Sequence, residues 1–288
     1  DLKITLCSEG APVFCLDNGK VGPLIGLIVG NLIYRKGDLT GLSIVALSSS
    51  FMNNILPIFA SCVPYTPSNI QELEGQQSVV QIFTNRSWGS GTIITKDGLI
   101  LTCAHIINYG MERDIMVRIK RKFYSAEVIF STPYGQSNEL AVLQIRDAYL
   151  DNSQLLPVLF RNEKVILGEE VYTVGYCLFE TLEDPSVSRG VVSKLTDHFI
   201  ISTCCVLNGT SGGPLLDRNR KLLGVIISNI QTDEFIYHSI NVNTSIYSFR
   251  ENIEKFILTR DTQVLYDWST SMPADAAQIK FSTVSNKL

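Results

Sequence analysis

The chain has 288 residues, with 24 Lys and Arg set against 28 Asp and Glu for a formal charge of −4. Hydrophobic residues make up 45% and charged residues 18%, which excludes a disordered chain, since disorder needs low hydrophobicity and high net charge. No basic excess exists to neutralise phosphates, which argues against nucleic-acid binding, and the length suffices for one large or two modest cores.

The most apolar runs come first, at 22–34 and 41–63. The first is shorter than the roughly 20 residues that span a bilayer. The second carries Asn53, Asn54 and several serines, so both read as buried strands bounded by turns rather than membrane spans. A linker, Pro64-Tyr65-Thr66-Pro67, separates an N-terminal portion, 1–66, from a main domain, 67–260. Short segments of strand type follow at 78–84, 91–95, 100–102, 115–119, 126–130, 141–145, 170–174, 190–195, 199–203, 214–216 and 222–227. Turn signals such as Lys96-Asp97-Gly98 and Asp217-Arg218-Asn219 punctuate them. Many short strands with few helical stretches predict an all-β barrel or sandwich. A helix is predicted over 247–258, with Ile253, Phe256 and Ile257 on one face. Residues 261–288 are polar and weakly patterned, and predict an extended or partly ordered tail.

Seven cysteines stand at 7, 15, 62, 103, 177, 204 and 205, with no C-x-x-C pair. That excludes a zinc ribbon or thioredoxin motif, and the adjacent Cys204 and Cys205 make a full disulfide framework awkward. A reducing compartment is expected. The chain starts at Asp1 without a charged-then-apolar leader, and so reads as a fragment or a processed form.

The sharpest motif is Asn208-Gly209-Thr210-Ser211-Gly212-Gly213-Pro214. A serine framed by glycines suits an acyl-transfer nucleophile. The glycines let the backbone turn tightly, so that the hydroxyl and the N–H groups of Gly209 and Ser211 face one substrate carbonyl. Upstream, Leu101-Thr102-Cys103-Ala104-His105 puts a histidine at the end of an apolar strand, behind a strand–turn–strand segment at 89–102. His105 as general base to Ser211 is the pairing that nucleophilic catalysis requires. No metal or organic cofactor is needed for such chemistry.

The strings at 89–105, 140–145 and 209–215 resemble the trypsin-like serine proteases of the chymotrypsin fold, especially the HtrA/Deg branch, over about residues 76–250. The resemblance implies two six-stranded β-barrels with the active site in the cleft between them. In that family an Asp precedes the apolar string that here reads Leu140-Ala141-Val142-Leu143, and Glu139 holds its place. Glu139 is therefore the expected third catalytic residue, with Asp147 and Asp114 in reserve. Carried over in the same way, the residue six before the nucleophile, Cys205, lines the base of the specificity pocket, and Ile226, Ser228 and Asn241 stand in its walls. No acidic residue lies at that base, so a small or medium uncharged side chain, Cys among them, is expected rather than Arg or Lys.

The chain also echoes itself. Residues 7–31 parallel 211–229, from the Pro12 and Pro214 positions to Leu24-Ile25-Gly26-Leu27-Ile28-Val29-Gly30-Asn31 against Leu223-Gly224-Val225-Ile226-Ile227-Ser228-Asn229. The first 60 residues thus read as the end of a degenerate protease-like barrel. The chain ends Asn286-Lys287-Leu288, a variant of the Ser-Lys-Leu peroxisomal address. Sequons at Asn85, Asn208 and Asn243 favour a compartment without glycosylation, because a glycan on Asn208 would obstruct Ser211. Taken together, the chain resembles the peroxisomal processing proteases of the Deg branch. That implies cleavage of targeting presequences from imported matrix enzymes, often after Cys, recognition of the C terminus by the import receptor, a place in the peroxisome matrix, and self-association. The alternatives are an HtrA-like quality-control protease, cytoplasmic in location, or an impaired protease-like module that binds proteins through its cleft.

Overall fold

The computed structural model describes residues 12–17, 20–33, 39–47, 77–85, 87–107, 114–133, 139–146, 155–177, 184–231 and 236–271. The chain divides into two units, Asp1–Gln71 and Glu72–Leu288. The second contains two closed barrels.

The first barrel is built from β4 (Val79–Phe83), β5 (Trp88–Ile93), β6 (Leu99–Thr102), β7 (Ile115–Ile119), β8 (Lys122–Ser131) and β9 (Ala141–Ile145). They hydrogen-bond in the order β4-β5-β6-β9-β8-β7 and close on themselves. The second repeats that order with β10 (Glu170–Gly175), β11 (Ser186–Leu195), β12 (Phe199–Ser202), β13 (Pro214–Leu216), β14 (Leu222–Gln231) and β15 (Ile236–Ser245), closing as β10-β11-β12-β15-β14-β13. Closure removes the unpaired strand edges that would otherwise invite aggregation. Strands β6 and β9 are buried along their whole length, which explains why their sequences read as continuous apolar runs rather than alternating ones. The strand series anticipated from the sequence is present, with β15 added to it. Its central residues Asn241 and Asn243 are wholly buried, and two buried asparagines hide a strand from any pattern based on hydrophobicity.

After β15, a 3-10 turn at Ile246–Ser248 leads into α2 (Arg250–Thr259), which buries Ile253 and Phe256 and ends at Arg260 in the left-handed region, φ 59°. The tail, expected to be extended or partly ordered, is helical over its first part, as α3 (Gln263–Ser271). Val264, Leu265 and Trp268 bury one side of it. Trp268 packs edge-on against Phe130 of the first barrel and Phe249 beside the second, at centroid distances of 6.3 and 5.9 Å. Its indole N–H donates to the Ser248 carbonyl at 2.5 Å. Residues 272–288, with the Asn286-Lys287-Leu288 terminus, lie outside the described residues.

The first unit is described as an antiparallel sheet of β1 (Pro12–Asp17), β2 (Lys20–Ile33) and β3 (Leu39–Leu47), in that order. Its registers reproduce those of β13, β14 and β15. Pro12 faces Leu27 and Val13 faces Gly26 before a register shift, as Pro214 faces Val225 and Leu215 faces Gly224 before a shift. Between the second and third strands, Gly26, Leu27 and Ile28 oppose Leu47, Ala46 and Val45, and the ladder then slips. Gly224, Val225 and Ile226 oppose Ser245, Thr244 and Asn243, and that ladder slips at the same place. Of the N-terminal apolar runs, 22–33 lies in β2 and 41–47 in β3, while 34 and 48–63 lie outside the described residues; among the described residues no helix is long and apolar enough to cross a membrane.

Trp268→Ala removes the aromatic anchor of α3 and leaves the Ser248 carbonyl without its donor. Such large-to-small changes cost about 3–5 kcal/mol. Urea denaturation of the variant should show a loss of that order, whereas a loss below about 1 kcal/mol would mean that α3 does not brace the barrels.

Candidate active site

His105 lies in α1 (Ala104–Ile107), a single turn at the end of β6 whose Ala104, Ile106 and Ile107 are buried. Three buried neighbours force His105 to the half-exposed side. The turn can dock closely because residue 89 on β5 is glycine. A Cβ there would stand 2.4 Å from Ile106 Cδ1, so any larger residue would push the turn away. Glu139 stands two residues before the start of β9. Its neighbour Leu140 is fixed by two bonds to Thr132, the Leu140 N–H donating to Thr132 Oγ1 at 3.1 Å and the Thr132 N–H to the Leu140 carbonyl at 2.9 Å. The Glu139 carboxylate is buried and hydrogen-bonded through Oε2 to His105 Nδ1. Of the two reserve acids, Asp114 is exposed ahead of β7, and Asp147 lies outside the described residues.

Ser211 is carried by the second barrel, in the loop between β12 and β13. Gly209 and Gly212 both take positive φ, 93° and 84°, a backbone region open to glycine at no steric cost. Space is equally restrictive. A Cβ on Gly209 would lie 2.1 Å from the Trp88 ring, and one on Gly212 would lie 2.1 Å from the Ser90 carbonyl. The N–H groups along this loop alternate in their use. Those of Thr210 and Gly212 donate to the carbonyls of Leu207 and Ile226 at 3.0 and 2.8 Å, whereas those of Gly209 and Ser211 have no partner among the described residues. Two free donors one residue apart, beside a half-exposed serine, are the arrangement that stabilises an oxyanion.

The residues expected to form the specificity pocket divide into two kinds. Ile226 is fully buried and its carbonyl accepts from the Gly212 N–H and from Cys103 Sγ. Asn241 is also fully buried, accepting from Ser202 Oγ and donating to the Cys204 carbonyl, both at 2.6 Å. These two side chains and backbones brace the frame. Ser228 and Cys205 are half-buried, and the Cys205 N–H donates to Ser188 Oγ at 2.6 Å. Asn229, which the sequence placed in the same strand, donates from Nδ2 to the Val206 carbonyl at 2.8 Å and so ties β14 to the segment after Cys205.

Cys103 was not singled out by sequence. Its ligand atom, with those of His105 and Glu139, forms a set lying within 4.8 Å. The thiol is wholly buried, donates to the Ile226 carbonyl at 2.8 Å, and is held well above its ordinary pKa by desolvation and the Glu139 charge. A metal would need the thiolate, and this environment opposes it. Ser90 was also missed. Its signal was a serine between two glycines inside a strand, where neither neighbour favours β structure and close backbone approach is the usual reason.

The trypsin-like peptidase domain family matches residues 89–225. The chain is 23% identical to the human peroxisomal leader peptide-processing protease over 88% of its own length and 48% of that protein's, and the mouse counterpart gives the same figures. It therefore spans about half the length of the curated relatives it matches. A probable periplasmic DegP-like serine endoprotease of Pseudomonas putida is 32% identical over 49% of this chain and 29% of its own. In fold, the chain resembles the crystal structure of the serine endoprotease from Yersinia pestis, with a TM-score of 0.54 at 22% identity over 69% of this chain and 70% of that one. An inactive serine-to-alanine mutant from M. tuberculosis gives a TM-score of 0.51 at 19% identity, over 69% of this chain and 97% of that one. The two barrels thus share the fold of these solved structures.

Desolvation, followed by the nearby Cys177 and Cys204, pushes the Cys205 thiol up to about 11. The thiol, not the thiolate, is then present at neutral pH, and the alkylating species is the thiolate. The rate of iodoacetamide alkylation lost in Cys205→Ser should climb about tenfold per pH unit up to about pH 11. Levelling near 8.5, as for a free cysteine, would show that Cys205 faces open solvent.

Proposed function

We propose that the chain is a serine endopeptidase in which Ser211 is the nucleophile, His105 the general base and Glu139 the carboxylate that orients it. The observation that carries this reading is the His105 Nδ1 bond to the buried Glu139 carboxylate within a trypsin-like peptidase domain. With Nδ1 donating to the carboxylate, Nε2 keeps its lone pair and can take the Ser211 proton as Oγ attacks the scissile carbonyl. The developing oxyanion is received by the Gly209 and Ser211 N–H groups. The imidazolium then returns its proton to the leaving amine, and water repeats the sequence to release the acyl group. Glu139 stabilises the imidazolium throughout without itself becoming protonated.

The proposed substrates are proteins bearing cleavable targeting presequences, cut after Cys or another small uncharged residue. The named relatives that match across most of this chain support this reading, as does a half-buried thiol, rather than a carboxylate, at the position of Cys205. Ser228 and Cys205 line the pocket in this account, and Ile226 and Asn241 brace it. The same relatives support a place in the peroxisome; the proposal further takes Asn286-Lys287-Leu288 as read by the import receptor and the chain as self-associating. Residues 1–66 are a degenerate protease-like portion, 67–260 the protease domain and 261–288 the targeting tail. A second reading, an HtrA-like quality-control protease, draws on the likeness to DegP-like endoproteases.

Reaction with a fluorophosphonate tests the chemistry. The parent should label and Ser211→Ala should not; labelling that survives Ser211→Ala would falsify the nucleophile. Glu139→Gln should slow labelling by about 10³–10⁴-fold, the loss expected when the orienting carboxylate becomes an amide, and an unchanged rate would assign the role to another acid. Presentation of a presequence-bearing protein should give one cut after an uncharged residue. Degradation to many peptides would favour the quality-control reading, and cleavage mainly after Arg or Lys would sink the proposed pocket.

A further inference from the structure

Ser90 is buried in β5, in the middle of the first barrel's contact with the nucleophile loop. Every polar group it owns is engaged. Its hydroxyl donates to the Gly209 carbonyl at 2.7 Å and accepts from the Tyr176 N–H at 2.9 Å. Its own N–H donates to the Ser211 carbonyl at 2.9 Å, and its carbonyl accepts from Thr102 Oγ1 at 2.7 Å. Close approach is allowed by Gly175, where a Cβ would stand 3.0 Å from Ser90 Oγ. One residue of the first barrel therefore holds three residues of the second.

The geometry points to Ser90 as the positioning residue that sets the oxyanion hole, an inference that rests on the nucleophile and oxyanion roles proposed above. A peptide unit is planar and trans, so its N–H and C=O point in opposite directions. Fixing one end fixes the other. The 209–210 unit is held at its carbonyl by the Ser90 hydroxyl and at its N–H by the Leu207 carbonyl. The 211–212 unit is held at its carbonyl by the Ser90 N–H and at its N–H by the Ile226 carbonyl. The unit between them carries the Ser211 N–H, and its carbonyl accepts from the Gly213 N–H at 3.0 Å. With both flanking planes clamped, the Ser211 donor has one direction left, towards the cleft, and the clamped 209–210 plane limits the turning of the adjoining unit that carries the Gly209 N–H. Trp88, two residues before Ser90 on the same face of β5, closes the remaining space over Gly209. Without the Ser90 hydroxyl, the Gly209 carbonyl and the Tyr176 N–H would both be buried and unpartnered. Burial without a partner is costly, so the 209–210 peptide would turn to find one.

Ser90→Ala should lower kcat on a peptide substrate by about 10–100-fold, somewhat less than outright loss of an oxyanion donor, with KM changed less than about threefold. Binding of a peptide boronate, which forms the tetrahedral adduct, should weaken by the same factor as kcat. Ser90→Cys keeps the shape with a weaker donor and should fall between parent and alanine; it also supplies the test if the alanine variant does not fold. Ser78→Ala, which deletes a 2.6 Å bond to the Leu156 carbonyl away from the cleft, should leave kcat unchanged. A kcat within threefold of the parent in Ser90→Ala, or an equal fall in Ser78→Ala, overturns the inference. Should the parent fail to label with fluorophosphonate, the catalytic reading fails but the clamp is still decided by a crystal structure of Ser90→Ala. A turned 209–210 peptide supports it, and an unmoved one overturns it.

Discussion

The Ser90 N–H and the Ser211 carbonyl meet at 2.9 Å across the seam between two closed barrels, and the geometry of the site follows from that bond. His105 and Glu139 belong to the first barrel, while Ser211 and the unpartnered N–H groups of Gly209 and Ser211 belong to the second. Neither barrel could align them by its own folding. The seam does so by contacts too close to admit Cβ atoms at Gly89, Gly175 and Gly212. Gly89 and Gly212 let backbone from one barrel approach the Ser211 and Ser90 carbonyls of the other, and Gly175 admits the Ser90 hydroxyl, so the alignment is set by main chain and one short side chain.

The role proposed for Glu139 asks a glutamate to serve where the resembled pattern carries a shorter acid. Its extra methylene has to be absorbed somewhere. Leu140, wholly buried and tied twice to Thr132, fixes the backbone beside Glu139, and the single turn of α1 presents His105 to it from the end of β6. A buried carboxylate is costly unless it is paired, and the imidazole is the partner that the fold supplies.

What could be read from sequence followed from how local the constraint was. The loop around Ser211 and the turn around His105 were legible because their chemistry and their turns are written in adjacent residues. The barrels were legible from strand spacing, except β15, whose buried Asn241 and Asn243 look like loop residues until their partners on β12 are known. The helix α3 was not legible, because its burial depends on Phe130 and Phe249, distant in sequence, and its own pattern is weak. Ser90 was in plain view within a quoted motif. Its meaning was hidden because its partners are 119 and 86 residues away. Asn241, read as pocket lining from its position, turned out to spend its amide on Ser202 and Cys204.

The N-terminal sheet separates fold from chemistry. β1, β2 and β3 keep the registers and both ladder slips of β13, β14 and β15, and Gly26 and Gly224 each face a carbonyl of the third strand at about the same distance, 2.3 and 2.5 Å from an added Cβ. Yet counting back from Pro12 as from Pro214 places Glu9 where the main domain has Ser211. A strand register is fixed by which residues must lie inside and by the bulges that re-aim them, and these demands persist without any reaction to perform. The nucleophile answers to different demands, namely a base within reach and donors clamped in one direction. Nothing in the sheet's register selects for a serine, so the same frame can stand with or without the site.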